Sequence, residues 1–148
     1  MGATKADELI FSMPGSPAVI GVARALAGAR LRKWDYSAIL NDALLIVSEL
    51  VTNAAEVTPG EKIVLQIGRD GQGIFFAVWD SSARMPEPRP VAELSLDDLN
   101  LSEESFDDNG GWGLALVQAL STSCGVTRDP NGGKWVWARC AMGRSEGT

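Results

Sequence analysis

Ser48-Glu49-Leu50-Val51-Thr52-Asn53-Ala54 sets a carboxylate and a carboxamide four residues apart inside a strongly helical segment. At that spacing both side chains project from one face of a helix. At about 100° per residue, Leu40, Leu44, Val47, Val51 and Ala54 form one apolar stripe, and Asp42, Glu49, Asn53 and Glu56 lie roughly opposite it. One side of this helix packs. The other meets either solvent or a polar ligand, and periodicity alone favours solvent. What shifts that balance lies downstream.

Two short β-patterned runs follow, Glu61 to Gly68 and Gly73 to Asp80, and then a long segment rich in proline and acid leads into Asn109-Gly110-Gly111-Trp112-Gly113-Leu114-Ala115-Leu116-Val117. Glycines that open an apolar helix suit anion binding. They let the backbone approach a ligand while the first helical N–H groups are unpaired and the helix dipole favours negative charge. The dinucleotide fingerprint is not met, because Leu116 stands at its third glycine and an acidic loop precedes the motif. A Walker loop is absent too: Gly133-Lys134 is followed by Trp135, and Arg128 stands at its first glycine.

Taken in this order, the motifs resemble the Bergerat or GHKL nucleotide-binding fold of gyrase, Hsp90, histidine kinases and MutL. Within it the chain is most similar to the anti-sigma serine-kinase family of bacterial partner-switching systems, in its short actinobacterial form. The resemblance runs from about Val22 to Ala138. It is carried by the helix with Glu49-Leu50-Val51-Thr52-Asn53-Ala54, the strand end Val78-Trp79-Asp80, the turn Gly111-Trp112-Gly113-Leu114-Ala115-Leu116-Val117, and the terminal Gly133-Lys134-Trp135-Val136-Trp137-Ala138.

The resemblance implies ATP and Mg2+ as ligands and assigns roles residue by residue. Asn53 matches the magnesium-ligating asparagine, and Glu49 the carboxylate one turn earlier that serves as general base or positions water. Magnesium takes few protein ligands and keeps waters and phosphate oxygens for the rest, so one carboxamide on a rigid helix is enough. Asp80 matches the aspartate that accepts a hydrogen bond from the exocyclic amine of adenine. A guanine carbonyl there would face a second acceptor. Gly111 and Gly113, with the adjoining Leu114, match the second nucleotide motif beside the phosphates.

This chain also departs from the family pattern. Glu56-Val57 stands where relatives place a basic residue and a histidine. The glycine-rich aspartate box is reduced to Asp80-Ser81-Ser82-Ala83-Arg84, and Trp112 replaces an arginine between the two glycines. Trp135 stands where relatives place a threonine or serine that supports the aspartate, so its indole is expected to narrow the base pocket. These changes leave ATP binding intact as an expectation and weigh against phosphoryl transfer.

Composition bounds the alternatives. A chain of 148 residues suits one domain, and an apolar share of 45% suffices for a core. Thirteen basic against nineteen acidic residues give −6, which disfavours nucleic acid as the main partner. The absence of histidine removes Ser-His-Asp and Cys-His arrangements and the usual zinc sites. Cys124 and Cys140 sit in apolar, strand-like surroundings and read as buried free thiols. No apolar run approaches membrane-spanning length and the N-terminus lacks a signal-like core, so a cytoplasmic protein without membrane association is expected.

Along the chain, Leu9 to Met13 reads as a strand, Pro17 to Lys33 as a helix broken by Trp34-Asp35-Tyr36-Ser37, and the Glu49 helix ends by Pro59-Gly60. Asp70-Gly71 marks a hairpin. A helix from Leu114 to about Thr122 leads to strands at Cys124 to Arg128 and Lys134 to Cys140, and the tail 143–148 is expected to fray. This order predicts a single α+β domain over 1–148, a two-layer sandwich whose mixed, mainly antiparallel sheet is covered on one face by helices. The segment 81–109 corresponds to the family's ATP lid. Between Val91 and Asn109 it holds Glu93, Asp97, Asp98, Glu103, Glu104, Asp107 and Asp108 and no lysine or arginine, a local charge of −7. A solubilising loop and a docking surface for a basic partner are both consistent with that charge.

Two functions follow. One is an ATP-binding regulator that holds a sigma factor or phosphorylates a serine or threonine of a STAS-type antagonist, a homodimer by resemblance. The other is a catalytically silent module that keeps the fold and acts only by binding its partner. A detached ATPase domain of a histidine kinase is the weaker third reading, since no dimerisation helix pair precedes the domain.

Overall fold

The computed structural model describes residues 8–71, 73–82 and 111–141, the side chains of 111–114 excepted. The long helix anticipated from the sequence is α2, Leu40–Val57. Its buried residues are Ala43, Ile46, Val47, Leu50, Val51 and Ala54, a wider face than the stripe read from periodicity. Leu40 and Leu44 are only partly buried. The face is wide because α2 is flanked on two sides and covered below: it packs against α1 (Ala18–Lys33), α3 (Gly111–Leu120) and the sheet.

Helix α1 starts after Pro17, whose φ of −59° is already helical and whose missing N–H costs nothing at a helix start. It stops at Trp34, followed by Asp35 at φ 70°, a left-handed conformation that aspartate tolerates better than most residues. Its basic residues are used partly at the α1–α2 seam, where Arg24 donates to Ser48 Oγ at 2.8 Å. Arg30 and Arg69 lie over Trp34 at 5.5 and 4.9 Å from the ring centroid.

Five strands form one sheet: β1 (Glu8–Pro14), β2 (Lys62–Asp70), β3 (Gly73–Asp80), β4 (Ser123–Arg128) and β5 (Lys134–Cys140). Their order is β1-β2-β3-β5-β4, and all four pairings are antiparallel. The expected two-layer α+β sandwich is thus present, and the mixed pairing allowed for in the sequence is not used by the described strands. The chain leaves β3 at Asp80, returns through α3 to lay β4 at the edge, and inserts β5 between β3 and β4 by a hairpin.

Strand alternation decides which side chains meet the helices. Ile63, Leu65 and Ile67, then Ile74, Phe76 and Val78, then Val136, Ala138 and Cys140 join the core under α2. Cys140 and Cys124 are free thiols, and burial together with the negative charge of Asp42 pushes Cys140 up to about 11. Residues of the opposite parity face away from the helices. Gln66, Phe75, Ala77, Thr127, Trp135, Trp137 and Arg139 line a shallow groove there of about 430 Å³. Gly68 makes room on this face, since a Cβ there would lie 2.5 Å from the Phe75 ring.

The stretch Ser37–Val57 does have the length and apolarity of a membrane span, with a mean hydropathy of 1.4, contrary to the expectation that no run comes close. Ala43, Ile46, Val47, Leu50, Val51 and Ala54 are buried within the fold, Leu45 is 41% exposed, and Asp42, Glu49 and Glu56 lie along the rest. The lid-like segment and the tail lie outside the described residues, apart from Ser81 and Ser82.

Candidate functional site

The C-terminal end of α2, the start of β2, the end of β3 and the start of β5 meet at one end of the sandwich. Thr58 closes α2, its N–H and Oγ1 both donating to Ala54 O. The chain then turns through Gly60 into β2, and Ser81 just past β3 donates to Glu61 Oε1 at 2.8 Å. Asp80 is the last residue of β3 and shares parity with Ile74, Phe76 and Val78, so its carboxylate enters the helix side of the sheet.

That carboxylate is fully buried. Its Oδ1 accepts from Lys134 Nζ at 2.7 Å and from the Ser82 N–H at 2.9 Å. Its Oδ2 is buried with no hydrogen-bond partner among the described residues. A buried carboxylate oxygen without a donor is costly, and here one acceptor position is left unfilled by the described residues. Lys134 is 1% exposed. Its position follows from the register, because Asp80 and Lys134 are direct cross-strand partners and so lie on one face. Gly133, just before it, sits at φ 81°, and a Cβ there would come within 2.2 Å of Asp80 O. Only glycine lets β5 begin this close to the end of β3.

Trp135 therefore lies on the face of the sheet opposite the Asp80 carboxylate, whereas the sequence reading set its indole beside it. It pairs with Trp79, belongs to the opposite face of the sheet, and donates its indole N–H to Asp129 Oδ2 at 3.0 Å. A shift of one residue along a strand exchanges the faces, and the residue beside Asp80 is Lys134. Parity within β5 is the sequence signal for this: Lys134, Val136, Ala138 and Cys140 share a face, and Trp135, Trp137 and Arg139 share the other. Trp135→Thr is accordingly expected to leave nucleotide affinity within twofold of the unaltered protein by calorimetry. A tenfold change would return Trp135 to the site.

Glu49 and Asn53 are half-buried on α2, and Glu56 one turn further is exposed. The carboxyl of Glu49 is raised above its ordinary value of 4.5, first by burial and then by the charge of Glu56. Glu49 thus holds its proton more tightly than a free carboxyl does, the direction that strengthens a proton acceptor, on a helix that packs against β3 and α3. Among the described residues no group of three or more acidic, cysteine or histidine side chains could hold a metal. The donor chemistry instead fits magnesium bound by a single carboxamide, with phosphates and waters completing the shell.

Helix α3 begins at Gly111, so Gly111 and Gly113 both fall in its first turn, with Leu114 following. The side chains of Trp112 and Leu114 lie outside the described residues. The helix ends where Thr122 N–H donates to Arg139 O at 2.7 Å, at the opposite end of β5 from Lys134. At ~1.5 Å per residue, its ten residues carry the glycine turn away from that end.

A one-sided α+β sandwich with a buried strand-end aspartate, an acidic-amide helix and a glycine-opened helix defines a nucleotide-binding class of domain. Residues 13–140 match the family described as histidine kinase-like ATPase domain, and the chain belongs to that family. No curated protein matches it.

Proposed function

We propose that this is an ATP-binding regulator of the anti-sigma serine-kinase type, cytoplasmic, which binds a sigma factor or a STAS-type antagonist and transfers phosphate to a serine or threonine of the latter. The observation that carries the nucleotide reading is the buried Asp80 carboxylate, one oxygen saturated and the other lacking a donor. In this reading Oδ2 accepts from the exocyclic amine of adenine, and the first turn of α3, with Gly111, Gly113 and Leu114, lies against phosphate. Asn53 is the residue that would hold Mg2+, through its carboxamide oxygen. Magnesium, when bound, neutralises charge on the phosphate oxygens. Glu49 accepts the proton of the acceptor hydroxyl as the hydroxyl oxygen bonds to the γ-phosphorus of ATP and the bond to the bridging oxygen breaks, releasing ADP; the raised pKa of Glu49 is in the direction that role needs.

The silent module is the second reading, and Glu56 favours it. Its charge acts on Glu49, and a carboxylate on this side of α2 opposes triphosphate. A homodimer remains part of the proposal on resemblance alone. Incubating the full chain with labelled ATP, Mg2+ and STAS-type proteins from the same genome separates the readings. Label on a partner serine or threonine supports the kinase. Stable partner binding without label supports the silent module.

A further inference from the structure

We infer that Lys134 is a second base-reading group, which donates from Nζ to ring nitrogen N1 of adenine beside the amine contact of Asp80. The inference rests on the adenine reading of Asp80 and adds a residue whose place the sequence did not disclose. Asp80 and Lys134 are 0% and 1% exposed and are joined at 2.7 Å through Oδ1. The pair is a neutral unit fixed by strand register, since the two residues oppose each other across β3 and β5.

An ammonium carries three donors, and Asp80 Oδ1 is the partner of one of them among the described residues. The unit therefore offers an acceptor, Oδ2, and a donor, Nζ, from adjoining side chains. The Watson–Crick edge of adenine has the complementary order, with an amine donor on C6 and an acceptor at N1. Hypoxanthine reverses both positions: its 6-oxo group would face Oδ2 and its N1–H would face Nζ. With Asp80 alone, discrimination would come from one repulsive contact. With Lys134 beside it, there are two, and a site built to hydrogen-bond one edge rejects the analogue that leaves its buried groups unpaired.

The test compares ATP with its 1-deaza analogue, in which N1 is replaced by C–H, by calorimetry on the full chain with Mg2+, using the unaltered protein and Lys134→Met. The expected result is that losing N1 weakens binding to the unaltered protein at least fivefold more than binding to Lys134→Met. An excess below fivefold overturns the inference. Should Lys134→Met not fold, the unaltered protein decides on the same threshold: a loss of fivefold or more on removing N1 supports the contact, and a smaller loss overturns it. ATP binding without dependence on N1 removes Lys134 from base reading and leaves the proposed function standing. Absence of ATP binding rejects both.

Discussion

Replacing Asp80 with alanine is expected to destabilise the protein by about 3–5 kcal/mol, because it leaves the Lys134 ammonium buried without its counter-charge. Domains of this kind have roughly 5–15 kcal/mol in total, so the variant should melt far below the parent. The loss belongs to the stranded charge more than to the missing contact. Asp80→Ala combined with Lys134→Met should therefore recover most of the stability, since a buried ion pair exchanged for apolar side chains is often neutral or stabilising. Denaturant unfolding of the parent, both single variants and the double variant measures this coupling. Equal destabilisation in the single Asp80 variant and the double variant would show that the pair seen at 2.7 Å carries no weight in the fold.

Glu49→Gln should separate catalysis from folding. If phosphate is transferred, removing the base is expected to lower the rate about 10²- to 10⁴-fold, with the affinity for ATP little changed. Stability should move the other way. The folded-state pKa of Glu49 is raised, so the folded protein holds this proton more tightly than the unfolded chain does. The resulting penalty is absent below the ordinary value of 4.5 and grows as pH rises through the folded pKa. Glu49→Gln should thus melt higher than the parent at pH 7, and the difference should vanish below about pH 4.5. Undiminished phosphate transfer would reject the catalytic role, whereas an unchanged pH profile of melting would reject the burial argument.

Most of the fold was legible because its elements obey local rules. The periodicity around Glu49 predicted α2, Pro17 marked the start of α1, and the runs on either side of Asp70-Gly71 predicted β2 and β3. What periodicity understated was the breadth of the buried face on α2. Ile46 and Leu50 are buried because α1 and α3 flank the helix, and neighbours distant in sequence leave no trace in a local pattern. The positions of Glu49, Asn53 and Asp80 could be anticipated because a helix face and a strand end are local properties.

The partner of Asp80 could not, because it depends on the register between β3 and β5, two strands not consecutive in the chain that bring together residues 54 apart. Resemblance placed a small hydroxyl in that neighbourhood and pointed to Trp135. The alternation of β5 assigns the position to Lys134, and the bulk expected to obstruct the base pocket lies instead on the open face of the sheet. That correction removes a steric objection to nucleotide binding and leaves Glu56 as the main electrostatic one among the described residues.

The central claim is that adenine nucleotide binds on the helix side of the sheet, at Asp80. Titrating ATP with Mg2+ into the full chain and into Asp80→Asn by calorimetry tests it most directly. The asparagine keeps a carbonyl oxygen for Lys134 but removes its counter-charge, so affinity is compared at a temperature where melting shows both proteins folded, and the carboxylate that receives the adenine amine is gone. The account predicts saturable binding to the unaltered protein, weakened at least tenfold in Asp80→Asn. Equal affinity in the two proteins, or no binding to the unaltered one, would contradict it.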